Sequence, residues 1–244
     1  MGIPKIIHQI WYSEEPLPET YKELSQTWKR DYPEWEYILW DKEKMDDFVQ
    51  SHYPQYWKQY NQFPYPIQRC DAIRYLFLYE IGGMYVDLDY ESIRSIEPLI
   101  KGKTCCFSEE QGEDDYYRKL FGRDAPYFFN NAMMLSIPKH FFIKQIIKAV
   151  FEEEGKIETH KNQIAYVVLT TGPWKIMNLY YDLSDHEKRE IYILPKEYVT
   201  PLTFCQIRAL IHGNESEDLE RCLQDAFAIH YFFNSWSKEV ENKK

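Results

Sequence analysis

Apolar and polar positions repeat with two different periods along the first hundred residues, and the changes between them predict an α/β fold. Lys5-Ile-Ile-His-Gln-Ile-Trp11 is a β-rich apolar run that reads as a first strand, followed by a loop through Ser13-Glu-Glu-Pro-Leu-Pro18. Residues 19–30 read as a helix, Pro33 to Asp41 as a second strand and Lys42 to Gln50 as a second helix. Strand, helix, strand, helix implies a mostly parallel sheet with right-handed crossovers, flanked by helices. Pro64-Tyr65-Pro66 then breaks the chain. Residues 72–81 are apolar nearly all round, Arg74 and Glu80 apart, which predicts a buried helix rather than an amphipathic one. Gly82-Gly83 would end it with a left-handed cap. Met84 to Tyr90 alternates as a strand does, so Tyr85, Asp87 and Asp89 share one face and Met84, Val86 and Leu88 the other.

Beyond residue 100 the pattern is less regular. Thr104–Ser108 and Phe128–Ser136 read as strands, separated by an acidic, mobile loop that begins at Glu109-Glu-Gln-Gly-Glu-Asp-Asp115. Lys139–Glu154 reads as an amphipathic helix whose Lys144 and Lys148 make a basic face, solvated or touching a membrane. Residues 155–225 alternate helical and irregular stretches, with a turn at Thr171-Gly-Pro-Trp174, so the carboxyl-terminal part is expected to be helical. No repeat or low-complexity linker divides the chain, and 244 residues suit one domain over 1–244.

Composition narrows the partners. The chain has 21 Tyr, 14 Phe and 7 Trp, enough either to stack on bases and sugar rings or to fill an aromatic core. A net charge of −10 argues against nucleic-acid binding and against general adhesion to anionic lipid. The five cysteines form no C-x-x-C pair and leave an odd thiol, which suits a reducing compartment. The sequence shows no basic-then-apolar leader and no apolar run of bilayer length, and Ile6 breaks the myristoylation motif begun by Met1-Gly2. The expectation is a cytoplasmic protein, at most peripherally associated with the inner face of a membrane.

The chemistry concentrates at Asp87 and Asp89. Two carboxylates at the carboxyl end of an internal strand lie where open α/β sheets bind ligands. Oxygen ligands of this kind suit Mn²⁺ or Mg²⁺ and leave coordination positions for phosphate oxygens; a solvated Asp-x-Asp at a strand end is the alternative. Asp71 and Arg74 lie three apart on one helix face, where they pair with each other or meet a polar ligand. Asn130 and Asn131 sit in an apolar run where an amide needs a partner, either a sugar or acceptor hydroxyl or a backbone group; Asn131 is taken as the candidate. His8 lies within the first strand and is assigned to the core.

The stretch from Asp71 to Asp89, with Ile3-Pro-Lys-Ile-Ile-His-Gln-Ile-Trp11 before it and Asn234-Ser235-Trp236 near the end, resembles glycosyltransferase family 32. The resemblance implies a single Rossmann-like domain of GT-A type. Residues 1–100 would be its nucleotide-sugar-binding half, and 101–244 its acceptor-side half with a late metal and diphosphate segment. It implies transfer of a hexose, with retention of configuration, from a nucleotide diphosphate sugar to a hydroxyl of a cell-surface glycan or a lipid-linked glycan. UDP-hexose is favoured as donor and GDP-mannose is possible. Asp89 would bind the metal and Asp87 the metal or the ribose. Asp71, Arg74 and Tyr85 would meet the donor, Trp11 the base and Trp236 the diphosphate. His230, Asn234 and Ser235 compete to complete the metal shell, with Ser235 favoured and His230 otherwise a core histidine. The rival readings are a metal-dependent phosphohydrolase or nucleotidyltransferase, and a non-catalytic sugar-nucleotide-binding module.

Overall fold

The computed structural model describes residues 2–111, 128–152, 163–213 and 216–233. Its main sheet has six strands, β1 (Ile6–Ile10), β2 (Glu36–Trp40), β3 (Gly83–Val86), β5 (Cys105–Glu109), β6 (Phe129–Ser136) and β7 (Tyr192–Leu194). They are ordered β2-β1-β3-β6-β5-β7. A second, two-stranded sheet pairs β4 (Tyr90–Ser92) with β8 (Ala228–His230). β1 runs parallel to β2 and β3, and β5 parallel to β7. The sheet is mostly parallel, as expected, with the exception of β6, which is antiparallel to both β3 and β5.

The helices α1 (Glu19–Asp31) and α2 (Lys42–His52) follow in the expected places, an unexpected short helix α3 (Trp57–Gln62) comes next, and α4 (Pro66–Glu80) begins six residues before the expected 72–81, with Pro66 in its first turn. Beyond them come α5 (Glu97–Ile100), α6 (Phe141–Phe151), α7 (Gln163–Thr170) and α8 (Pro173–Tyr181). Alternation along the strands divides the core. Ile10 and Tyr85 join the side chains of α2, α4, α6 and α8 on one face, while Ile7, Met84 and Val86 join Trp28 of α1 and Ile100 of α5 on the other. α4 is buried along most of its length, as its apolar sequence requires. His8 is a core residue: Nε2–H donates to the Gly82 carbonyl (2.9 Å), Nδ1 accepts from Trp40 Nε1 (3.1 Å), and the ring stacks on Phe77. Burial holds it neutral, with a pKa lowered to about 4.

Gly82 and Gly83, at φ +77° and +103°, turn α4 into β3. A Cβ on Gly83 would stand 2.6 Å from the Ile6 carbonyl oxygen, so glycine is required there by space as well as by φ. The strand that follows is shorter than the alternation predicts. It stops at Val86; the Asp87 N–H still bonds to Ala132 O (2.7 Å), but the chain then turns, with Tyr90 N donating to Asp87 O (3.2 Å). Asp87 and Asp89 are thus not alternate residues of one strand. They bracket a turn between two sheets, and β4 departs from it to pair with β8.

α6 starts two residues later than expected because Lys139 adopts φ +60° and His140 caps the helix, its Nδ1 accepting from Phe142 N. Of the expected acidic loop, Glu109 ends β5, Glu110 and Gln111 follow it, and residues 112–115 lie outside the described residues. Among the described residues, no helix is long and apolar enough to cross a membrane.

Candidate active site

The turn after β3 gathers the acids at the carboxyl edge of the sheet. Gln9, fully buried in β1, steadies it: its Nε2 donates to Asp87 O (3.3 Å) while Tyr37 Oη donates to its Oε1 (2.6 Å). β8 arrives from far along the chain, and its register with β4 sets His230 opposite Tyr90. His230 is stacked on Tyr90 with ring centroids 4.2 Å apart and packs on Phe232 at 4.0 Å. Its Nε2 lies 3.4 Å from Asp89 Oδ1, and Asp89 Oδ2 accepts from Phe233 N (2.9 Å). One ligand atom from each of Asp87, Asp89 and His230 falls within 4.8 Å of the others. A Mn²⁺ or Mg²⁺ ion with bonds of roughly 2.1 Å holds its ligands at most roughly 4.2 Å apart, so three atoms within 4.8 Å of one another need only a small inward shift of their side chains to meet a single ion. Ser235, the favoured fourth ligand, and Asn234 and Trp236 lie outside the described residues.

Charge at the site follows from burial set against these neighbours. Burial raises Asp87 to about 6, with Asp89 adding to the rise and Arg74 opposing it. Burial would also raise Asp89, but His230 and the Phe233 N–H outweigh it and leave the carboxyl below its ordinary value. His230 is the mirror image: burial lowers it, Asp89 raises it, and the net shift is upward.

Behind the acids lies a closed polar network. Arg74 donates from Nε to Cys70 O (3.1 Å) and from Nη1 to Asn131 O (2.8 Å), and its guanidinium stands 4.4 Å over the Tyr85 ring. It lies 3.3 Å from Asp71 Oδ1 and 3.5 Å from Asp87 Oδ1. Tyr85 Oη donates to Asp87. Asp71 is saturated from within: Asn131 Nδ2 donates to Oδ1 (2.9 Å) and Thr171 Oγ1 to Oδ2 (2.8 Å). Tyr75 ties the same group to the chain, accepting from Asn131 Nδ2 (2.9 Å) and donating to Thr171 O (2.7 Å). The Asp71 side chain is 5% exposed and Asp87 30%, so a ligand entering this edge meets Asp87 first.

The remaining sequence candidates separate. Trp11 follows β1, its Nε1 donating to Glu15 O (2.7 Å), with its ring 5.6 Å from Tyr21; Tyr21 lies 5.9 Å from Phe233, whose amide holds Asp89. An aromatic row thus leads from Trp11 to the acid turn. Asn130 is held by protein partners: it donates to Glu110 (2.9 Å) and accepts from Ser108 Oγ and Ala132 N.

Sequence reasoning did not single out Gln9, Tyr75, Thr171 or Glu110. Tyr75 is four residues after Asp71 on a helix, a legible spacing. The Thr171 turn carried no mark linking it to Asp71. Glu110 lies in the expected loop but is anchored by Asn130, and burial raises its carboxyl against the opposing charge of His230.

The fold is that of the GT-A glycosyltransferases: the structure of PaToxG glycosyltransferase superposes with a TM-score of 0.52 at 15% identity, over 91% of this chain and 78% of the other. Residues 18–105 match the family described as "Glycosyltransferase sugar-binding region containing DXD motif", a span that includes Asp71, Arg74, Asp87 and Asp89. The chain is 32% identical over 234 residues to inositol phosphoceramide mannosyltransferase 2 of Schizosaccharomyces pombe, covering 96% of this chain and 58% of that protein. It is 34% identical over 148 residues to mannosyl phosphorylinositol ceramide synthase SUR1 of Saccharomyces cerevisiae, covering 61% of this chain and 35% of that one. It therefore spans about a third to somewhat over half of these relatives. These matches support a glycosyltransferase similar to those of family 32.

Proposed function

We propose that this protein is a divalent-metal-dependent mannosyltransferase that takes GDP-mannose as donor and a hydroxyl of a phosphoinositol-bearing glycolipid as acceptor. The observation that carries the reading is the convergence of Asp87, Asp89 and His230 at the carboxyl edge of a GT-A sheet. Preference for GDP-mannose over the UDP-hexose favoured by the sequence rests on relatives named as mannosyltransferases, and so does the lipid acceptor. Two carboxylates with an imidazole nitrogen suit Mn²⁺ better than Mg²⁺, which prefers oxygen alone. When bound, the ion supplies positive charge against the departing diphosphate.

The chain's own residues do the rest. Asp87 and Asp89 present carboxylates to the ion, and Tyr85, Gln9 and the Phe233 amide fix their direction. Arg74, held by Asp71 and Asn131, keeps positive charge beside Asp87. The Trp11, Tyr21 and Phe233 row offers faces on which a base can stack. Retention of configuration follows if the acceptor oxygen bonds to the anomeric carbon on the face from which the diphosphate leaves. The acceptor proton then passes to the leaving phosphate oxygen, and no protein nucleophile is needed.

The test is a panel of UDP- and GDP-sugars with Mn²⁺, with and without a phosphoinositol lipid, read by nucleoside diphosphate release. GDP release from GDP-mannose, raised by the lipid and abolished by EDTA, is expected. Release of inorganic phosphate or pyrophosphate instead would make the protein a phosphohydrolase or nucleotidyltransferase. Binding without turnover would make it a sugar-nucleotide-binding module.

A further inference from the structure

Arg69 is a half-buried cation that makes no ion pair among the described residues. α4 ends at Glu80 and the Gly82-Gly83 turn leads straight into β3, so the amino end of α4, where Arg69 stands, lies at the same sheet edge as Trp11 and Asp87. By helix geometry Arg69 is about 140° around the axis and about 7.5 Å along it from Arg74. It therefore faces the flank opposite the Asp71–Arg74–Asn131 network. There its guanidinium lies 5.5 Å from the Tyr12 ring, and Nη1 makes one long hydrogen bond, 3.5 Å, to Asn61 O.

Two buried polar atoms in this region are without partners among the described residues. Among the described residues Arg69 Nε has no acceptor, and neither does the hydroxyl of Tyr60, which lies within reach of the Arg69 charge. Arg74 is flanked by two carboxylates; Arg69 makes no ion pair among the described residues. Withdrawing a guanidinium part-way from water without a counter-charge is costly, and a buried donor without an acceptor adds to the cost. The anion whose geometry matches a guanidinium fork is a carboxylate or a phosphate. The substrates this edge of the sheet would receive carry phosphate.

We infer that Arg69 is a phosphate-binding residue at the rim of the candidate site. The source of the phosphate rests on the proposed function: the donor's diphosphate, or the phosphodiester of a lipid headgroup. The Tyr12 ring, 5.5 Å from the guanidinium, offers it a cation–π contact, and Lys at this position would supply charge without the fork.

Titration calorimetry of the full chain with Mn²⁺ present tests it, using inorganic pyrophosphate, GDP, myo-inositol 1-phosphate and guanosine as probes. Arg69→Gln should weaken at least one phosphate probe about tenfold or more, Arg69→Lys should lose less, and guanosine should be unaffected. Loss on GDP and pyrophosphate assigns the donor; loss on inositol phosphate alone assigns the acceptor. The proposal is overturned if every phosphate affinity stays within about twofold of wild type. It is equally overturned if wild type binds no phosphate probe, or if guanosine weakens in parallel with GDP. A protein that turns over no nucleotide sugar yet loses phosphate binding in Arg69→Gln would refute the proposed function and leave this inference standing.

Discussion

Asp89 takes a backbone N–H from Phe233 on one oxygen and faces His230 with the other, so Asp89→Asn removes its charge while an amide oxygen can still hold the Phe233 bond. The variant should stay folded, with Mn²⁺ binding and nucleoside diphosphate release reduced roughly a hundredfold or more. Calorimetry and the release assay, with circular dichroism as the folding control, check this. Because Asp89 holds His230 above its ordinary pKa and a metal takes only the neutral imidazole, Mn²⁺ affinity should rise with pH as that proton leaves. An affinity flat from pH 6 to 8 would remove His230 from the metal shell. His8 acts in the opposite direction and on stability. Its folded pKa of about 4 lies below the unfolded value of 6.5, so between them the unfolded chain binds a proton that the folded one refuses. Its contribution is full above pH 6.5 and is lost as pH falls toward 4, an effect on the order of 3 kcal/mol. Urea unfolding of His8→Gln across that window should show a flatter pH dependence than wild type.

At the scale of elements, the helix–glycine–strand unit from Pro66 to Val86 was legible because local chemistry dictates it. An all-round apolar helix can only be interior, and two adjacent glycines admit positive φ where other residues resist it. Gly83→Ala should therefore destabilise by roughly 3 kcal/mol, since it adds backbone strain to a clash with the Ile6 carbonyl. Denaturant midpoints measure it, and the folded fraction should retain Mn²⁺ binding. The end of β3 was not legible. Alternation through Tyr90 predicts one strand, but the Asp87–Tyr90 turn diverts the chain because β4 has a partner in β8, and a partner so remote leaves no mark in a local pattern.

Across the whole molecule, metal binding to the folded chain alone should raise its thermal stability. Mn²⁺ at a hundred times its dissociation constant adds about 2.7 kcal/mol, equivalent to a rise of roughly 5–10 °C for a domain of this size. Scanning calorimetry should show that rise in wild type and not in Asp89→Asn. The candidate site divides along the same line as the fold. Asp71, Arg74, Asp87 and Asp89 stood out from the sequence because charged residues in a buried context require partners or ligands. Their roles did not: Asp71 is saturated by Asn131 and Thr171, partners 60 and 100 residues away, and so holds Arg74 rather than standing open at the surface. Short-range physics, the period of apolar positions and the glycine turn, determined the α/β elements, the core and the acidic pair. Only the tertiary structure decided that β6 runs against its neighbours, that His230 joins the acids and that Arg69 has no ion-pair partner among the described residues, because each depends on which distant segments pack together.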